Sequence, residues 1–336
     1  MNQFFTASAI ERLQTFLQKT NQKNEIESLT PDASMREYFR VGWNASTAIA
    51  CVYPESFSSA EQNYIDATNL FLVGGLPVAK IFDFSENLGV IVQEDFGNRI
   101  LRDALSESIE SEKENLRKEA IVLIAKIQAA TPKAFELDSI ASRLRFDEEK
   151  LLWELNFFKT HYFESLRKQP LSTEENHGLS EEFAELAREL ETYAEVLCHR
   201  DFHAANLMID RENRLRIIDH QDARIGAASY DLVSLLLDRV LDAPQENWLN
   251  EKIRFFLSER EKSGLEKIAF EDFLDEFRLQ TIQRCLKAIG TFSFQTANRG
   301  KTNYVQYINP LFRIVADAAR KLNRFPNLQK LVAKSI

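Results

Sequence analysis

Three side chains in one short stretch have the types needed to act on an oxygen nucleophile. Asp201 sits in the run His199-Arg200-Asp201-Phe202-His203-Ala204-Ala205-Asn206. Asp219 follows in Ile217-Ile218-Asp219-His220-Gln221-Asp222. A carboxylate can accept the proton of a hydroxyl, and Asp201 is the candidate for that base. Amide and carboxylate oxygens are the ligands that a hard cation such as Mg²⁺ prefers, which makes Asn206 and Asp219 a candidate metal pair. Each lies beside a short apolar run, Leu207-Met208-Ile209 or Leu215-Arg216-Ile217-Ile218, that reads as a small strand holding its loop rigid. The competing readings are a surface-loop carboxylate for Asp201 and a turn residue for Asp219. Their occurrence together, in this order and at this short separation, favours chemistry.

The neighbouring polar residues read differently. His199 is expected to hold the loop by side-chain hydrogen bonds, and Arg200 to be structural or to neutralise neighbouring carboxylates. His203 either faces the acceptor or stabilises the loop. For Asp222 a turn-capping role is favoured over metal binding. Asp231 follows Tyr230 at a helix start, where capping or a bond to the loop is expected rather than chemistry. Arg284 and Lys287 share one helix face. A solvated face is the favoured reading there, and recognition of an acidic group on a substrate is the alternative. His161, His177 and His220 show no metal-ligand spacing.

Several elements must position these groups. Ser8 can cap a first helix with Ile10, Leu13, Phe16 and Leu17 on one face. Residues 36–41 and 48–53 read as strands around a turn at 44–47. A helix is expected over 59–73, stopped by Gly74-Gly75. Two more strands are expected over 78–84 and 90–93. After Glu94-Asp95-Phe96-Gly97 helical periodicity dominates, over 111–129, 147–166, 180–193, 230–241, 270–296 and 304–322. Phe157, Phe158, Phe292 and Phe294 read as helical core. The pattern predicts an α+β chain: a small β-rich lobe over 1–97 and a large helical lobe over 98–336 that carries the Asp201 loop and an acceptor pocket.

At 336 residues the chain can bury a large core. A formal net charge of −9 argues against a nucleic-acid partner, although local Arg and Lys can still build a pocket for an anion. Three scattered cysteines without metal spacing, and no signal-peptide pattern, lead us to expect a reduced cytoplasmic protein. No apolar run approaches the roughly 20 residues that span a bilayer. Nothing in the sequence demands an obligate protein partner.

The motifs carry a family resemblance. His199 to Asn206 matches the H-R-D-x-x-x-x-N spacing of the protein-kinase catalytic loop. With Ile217-Ile218-Asp219-His220-Gln221-Asp222-Ala223, Gly226 and Tyr230-Asp231-Leu232-Val233-Ser234-Leu235, the chain resembles the aminoglycoside/choline phosphotransferase superfamily. Asp32-Ala33-Ser34-Met35-Arg36-Glu37-Tyr38-Phe39-Arg40-Val41 and Gln283-Arg284-Cys285-Leu286-Lys287-Ala288-Ile289-Gly290 resemble segments of bacterial anomeric sugar kinases. Those enzymes act on N-acetylmuramate and N-acetylglucosamine during cell-wall recycling.

The resemblance implies a two-lobed protein-kinase-like fold, ATP as donor, Mg²⁺ as cofactor and a small-molecule acceptor, favoured as an amino sugar. It places Asp201 as base and Asn206 and Asp219 on the metal. The main chain of Gln93, Glu94 and Asp95 would take the adenine. Two features depart from the wider kinase pattern. No G-x-G-x-x-G loop precedes Arg36, so the Asp32-Ala33-Ser34 turn and the Ser34 hydroxyl would have to cover the phosphates. The strand Ala48-Ile49-Ala50-Cys51-Val52-Tyr53 also lacks the usual lysine. Arg36 is the first choice for a relocated cation, and Lys80 the second. An aminoglycoside, choline, homoserine or another sugar as acceptor, and a nucleotide-binding pseudokinase, are the alternatives.

Overall fold

The computed structural model describes residues 7–29 and 36–335, so the Asp32-Ala33-Ser34 turn, with Ser34, lies outside the described residues. The chain divides into two compact units, 1–108 with 205–222, and 109–204 with 223–336.

The first unit is built on a five-stranded antiparallel sheet. Its strands are β1 (Ile26–Leu29), β2 (Glu37–Trp43), β3 (Ser46–Val52), β4 (Ile81–Ser85) and β5 (Val90–Glu94), in the order β1-β2-β3-β5-β4. Alternation fixes the faces. On β2, Phe39 and Val41 turn inward with Ala48 and Ala50 of β3, and cover Leu13, Phe16 and Leu17 of the helix Ala9–Lys19. Each large apolar side chain buried there contributes about 1.5–3 kcal/mol. That helix starts in a capping box between Ser8 and Glu11. Ile10, expected on the same face, is exposed. The opposite face of β2 and β3 carries Tyr38 paired with Cys51, and Arg40 paired with Ile49.

The helix expected over 59–73 begins later, at Asn63, because Ser59–Glu61 forms a separate 3-10 turn. Val78 is not a member of β4. It bridges to Ile217 instead. That bridge joins the first unit to a hairpin of β7 (Leu207–Ile209) and β8 (Leu215–Ile217). The Ile217 N–H donates to the Pro77 carbonyl at 2.9 Å, and the Ile209 N–H to that of Arg99 at 2.8 Å. The expected division at 97/98 is therefore drawn differently by the packing. The first unit runs on to Ser108 and takes in Ala205–Asp222.

In the second unit a two-stranded ribbon of β6 (Val196–Cys198) and β9 (Arg224–Gly226) is set among helices. The central helix is Phe270–Arg299. It packs on Glu148–Lys159, whose expected continuation to residue 166 is a π-helical segment. Gly290 makes the approach possible: a Cβ there would lie 2.8 Å from the Phe158 Cα. The helix Glu246–Lys262 and the strand β1 had no counterpart in the sequence reading.

Candidate active site

In the second unit, Asp201 follows β6 on a loop anchored from below. Asp231, fully buried on the helix Tyr230–Leu237, accepts the N–H groups of His199 at 2.7 Å and Arg200 at 3.0 Å. Burial pushes the Asp231 carboxyl up. Arg200 is held at φ 84°, a left-handed conformation that costs about 1–3 kcal/mol and persists only where the surroundings enforce it. The buried His199 ring meets Phe202 edge to face at 5.6 Å. Asp231 thus bonds the loop through the main chain of His199 and Arg200.

Asp201 itself is ringed by cations. Lys287 Nζ lies 2.9 Å from Asp201 Oδ1, Arg284 Nη1 3.7 Å from the same oxygen, and Arg200 Nε 3.9 Å from Oδ2. Burial pushes the Asp201 carboxyl up, but Lys287, Arg284 and Arg200 outweigh it and hold the group well below the usual carboxylate range. It is ionised and can act as a proton acceptor. The expectation of a solvated face at Arg284 and Lys287 is corrected here. Arg284 is only 3% exposed. It donates to Ser234 Oγ at 2.6 Å and lies 5.2 Å from the centre of the Tyr230 ring. Lys287, for which recognition of an acidic group is the alternative reading, is hydrogen-bonded to the carboxylate. His203 is half-buried in the loop, and burial pushes its imidazole down.

In the first unit, Asp219 sits just beyond β8 at φ 63°, again left-handed. Its Oδ2 accepts from Asn206 Nδ2 at 3.4 Å, and its Oδ1 from Gln221 Nε2 at 2.8 Å. The amide thus turns its N–H to the partly exposed Asp219, and the Asn206 and Asp219 oxygens are of the ligand types a hard cation prefers. No cluster of three or more His, Cys, Asp or Glu side chains fit for a metal occurs among the described residues. Mg²⁺ does not need one, because it is commonly held by one or two protein oxygens together with waters and substrate phosphates. Asp222 closes the turn after Asp219 and is half-buried.

Arg36 reaches this pair. Its Nη2 lies 3.7 Å from Asp219 Oδ1, and its guanidinium lies 5.8 Å and 5.7 Å from the Tyr38 and Tyr53 ring centres. Burial opposes its charge, but a guanidinium stays protonated in proteins, and its hydrogen bond to Tyr53 favours the charged form. Burial pushes the Cys51 thiol up to about 11, so the residue in the lysine-free strand is a neutral neighbour. Lys80 is exposed. His220, read as an ordinary histidine, is buried. It bonds Thr68 Oγ1 at 2.7 Å and is flanked by the Tyr64 and Phe71 rings.

The segment expected at the adenine is heavily engaged. Gln93 accepts from the Tyr64 hydroxyl. Glu94 accepts from Arg216 at 3.1 Å, and its N–H donates to the Lys80 carbonyl at 2.9 Å. Asp95 accepts from Arg40 and Thr47, each at 2.7 Å.

Comparison with known proteins decides what this arrangement belongs to. A model of the phosphotransferase enzyme family matches residues 25–269. The chain belongs to that family. Two curated relatives of this phosphotransferase are called N-acetylmuramate/N-acetylglucosamine kinase. One, from Neisseria meningitidis serogroup B, is 27% identical over 91% of this chain and 89% of its own length. The other, from Pseudomonas aeruginosa, is 24% identical over 92% and 88%. Among solved structures, the ADP-bound aminoglycoside phosphotransferase APH(2'')-Ib aligns with a TM-score of 0.56 at 15% identity, covering 92% of this chain and 98% of that one. The phosphotransferase thus has the protein-kinase-like fold, with a β-rich N-terminal part and a mostly helical C-terminal part. No helix among the described residues is long and apolar enough to cross a membrane.

Proposed function

We propose that this phosphotransferase moves the γ-phosphoryl group of ATP to the anomeric hydroxyl of an N-acetyl amino sugar. The observation that carries the reading is its near full-length match to relatives named N-acetylmuramate/N-acetylglucosamine kinase. The charge around Asp201 supports it. Lys287, Arg284 and Arg200 gather there. Such surroundings disfavour a cationic acceptor such as an aminoglycoside or choline. They suit an amino sugar whose nitrogen is acetylated and uncharged.

The first unit is proposed as the nucleotide lobe and the second as the acceptor lobe. Asp201 orients the sugar hydroxyl and takes its proton. Arg36, with Ser34, binds the phosphates, and Lys80 is the second choice for that cation. Asn206 and Asp219 hold Mg²⁺, which when bound neutralises phosphate charge. The remaining main-chain groups of Gln93–Asp95 take the adenine, since the Glu94 N–H is already committed. His203 and Arg284 border the acceptor. His199 and Asp231 hold the loop, and Asp222 holds its turn. Catalysis then comes mainly from positioning and charge stabilisation.

The test is ATP consumption by the purified protein with N-acetylmuramate, N-acetylglucosamine, an aminoglycoside, choline and homoserine. Phosphorus NMR locates the product phosphate. The reading requires a 1-phosphate of an N-acetyl amino sugar from the wild type, and a loss of about 10²-fold or more in Asp201→Asn. Turnover of choline or the aminoglycoside alone would overturn it.

A further inference from the structure

Lys287 and Asp201 stand 86 positions apart in sequence, yet share a 2.9 Å hydrogen bond. Their side chains are 17% and 27% exposed, so this is not the solvent-screened pair usual at a surface. The central helix presents Lys287 one turn from Arg284 on one side and Gly290 on the other. Leu286, Ile289 and Phe292 are buried around it and anchor the helix without help from the lysine.

A cation so close to a base has two opposing effects. It lowers the carboxylate's affinity for a proton, which weakens it as a base. It also fixes the carboxylate's direction and offsets negative charge beside an arriving phosphoryl group. In phosphoryl transfer through a loose transition state the nucleophile needs little deprotonation, so orientation and charge outweigh basicity.

Resting on the function proposed above, we propose that Lys287 is a positioning residue for phosphoryl transfer. It clamps Asp201 in one orientation and offsets the charge that gathers where the acceptor hydroxyl meets the phosphoryl group. In that step the new O–P bond forms as the bond from the γ-phosphorus to the bridging oxygen breaks. The bond's electron pair leaves with ADP, and the hydroxyl proton passes to Asp201.

The experiment compares wild type with Lys287→Met, Lys287→Gln and Lys287→Arg. It uses whichever hydroxyl the wild type phosphorylates in the acceptor screen, so a wrong sugar and a wrong role for Lys287 are told apart. Lys287→Met is expected to lose about 10²-fold in kcat while KM for ATP and acceptor moves by no more than about threefold. Lys287→Arg recovers part of the loss, and Lys287→Gln, which keeps a donor without charge, recovers less. The acid limb of kcat/KM moves to higher pH in Lys287→Met, because Asp201 then loses its nearest cation while keeping Arg284 from the central helix, Arg200 and His203 from its own loop, and Tyr230 from the helix Tyr230–Leu237. A merely structural lysine would lower the unfolding midpoint and leave kcat of the folded variant near wild type. Wild-type kcat in a folded Lys287→Met or Lys287→Gln overturns the proposal, and so does a loss confined to acceptor KM. Should Lys287→Met fail to fold, Lys287→Gln decides.

Discussion

Replacing Arg36 by alanine is expected to weaken ATP binding by roughly ten- to a hundredfold. The guanidinium lies within 6 Å of two tyrosine ring centres and is 19% exposed. Each cation–π contact is worth about 0.5–2 kcal/mol, and both act whether or not nucleotide is present. The pair with Asp219 spans 3.7 Å and Asp219 is 43% exposed, so it adds only about 0–1 kcal/mol. What separates the free from the loaded protein is the contact to phosphate. A charge-assisted hydrogen bond contributes about 1.5–3 kcal/mol, and about 1.4 kcal/mol is tenfold in Kd. Arg36→Lys keeps the charge without the planar fork and is expected to fall between. Lys80→Ala, at an exposed position, is expected to bind like wild type. Calorimetric titration of each variant with ATP and Mg²⁺ provides the assay, with unfolding midpoints as the control. An Arg36→Ala variant of wild-type affinity beside a weakened Lys80→Ala would refute the reasoning and move the phosphate cation to Lys80.

Asp219→Ala is expected to remove most of the Mg²⁺ dependence of ATP affinity; unchanged dependence in the same titration would shift the metal site, with Asp222 the next suspect. Asp231→Ala leaves the His199 and Arg200 N–H groups without their acceptor. It should cost about 1–3 kcal/mol by chemical denaturation together with turnover, and stability loss alone would show that the loop does not need this anchor. Gly290→Ala places a Cβ 2.8 Å from the Phe158 backbone, an overpacking worth about 1–3 kcal/mol. Gly178→Ala meets only the movable Asn327 side chain and should be much milder, so equal unfolding midpoints would discredit the packing argument. Asp201 is held ionised by its cations far below neutrality, so its contribution to stability is present above the usual carboxylate range and lost only as pH falls through its depressed value. Chemical denaturation from pH 7 to pH 5 should therefore give no loss attributable to this group, judged by comparison with Asp201→Asn.

The parts of this protein that were legible in the sequence rest on local patterns. The spacing from His199 to Asn206, the position of Asp219 and the long helical periodicities all lie within short windows. What escaped depends on residues far apart. Nothing near Lys287 announces that it meets Asp201, and the burial of Arg284 comes from Ser234 and Tyr230 on another helix. The one signal was the Arg284, Lys287, Gly290 stripe at helical spacing, which also fits a solvated face. Arg36 was singled out from its place after a turn, but its stacking on Tyr53 depends on how β2 and β3 pair. Strand β1 is short and half polar, and Glu246–Lys262 is rich in charge, so neither shows a strong apolar period. Residues 205–222 fold with the first unit through bonds to Pro77 and Arg99, a pairing no local window contains.

That last pairing has a consequence for synthesis. The first unit is not finished when its first 108 residues leave the ribosome. The carbonyls of Pro77 and Arg99 must wait for the N–H groups of Ile217 and Ile209, more than a hundred residues later. At about 5–20 residues per second, the gap between residues 108 and 222 corresponds to roughly 6–23 s. During that interval the segments around Pro77 and Arg99 lack these partners while the helical segment is still emerging. Slowing translation between these points is expected to lengthen the exposure of those segments to proteases and chaperones, although the finished chain is unchanged.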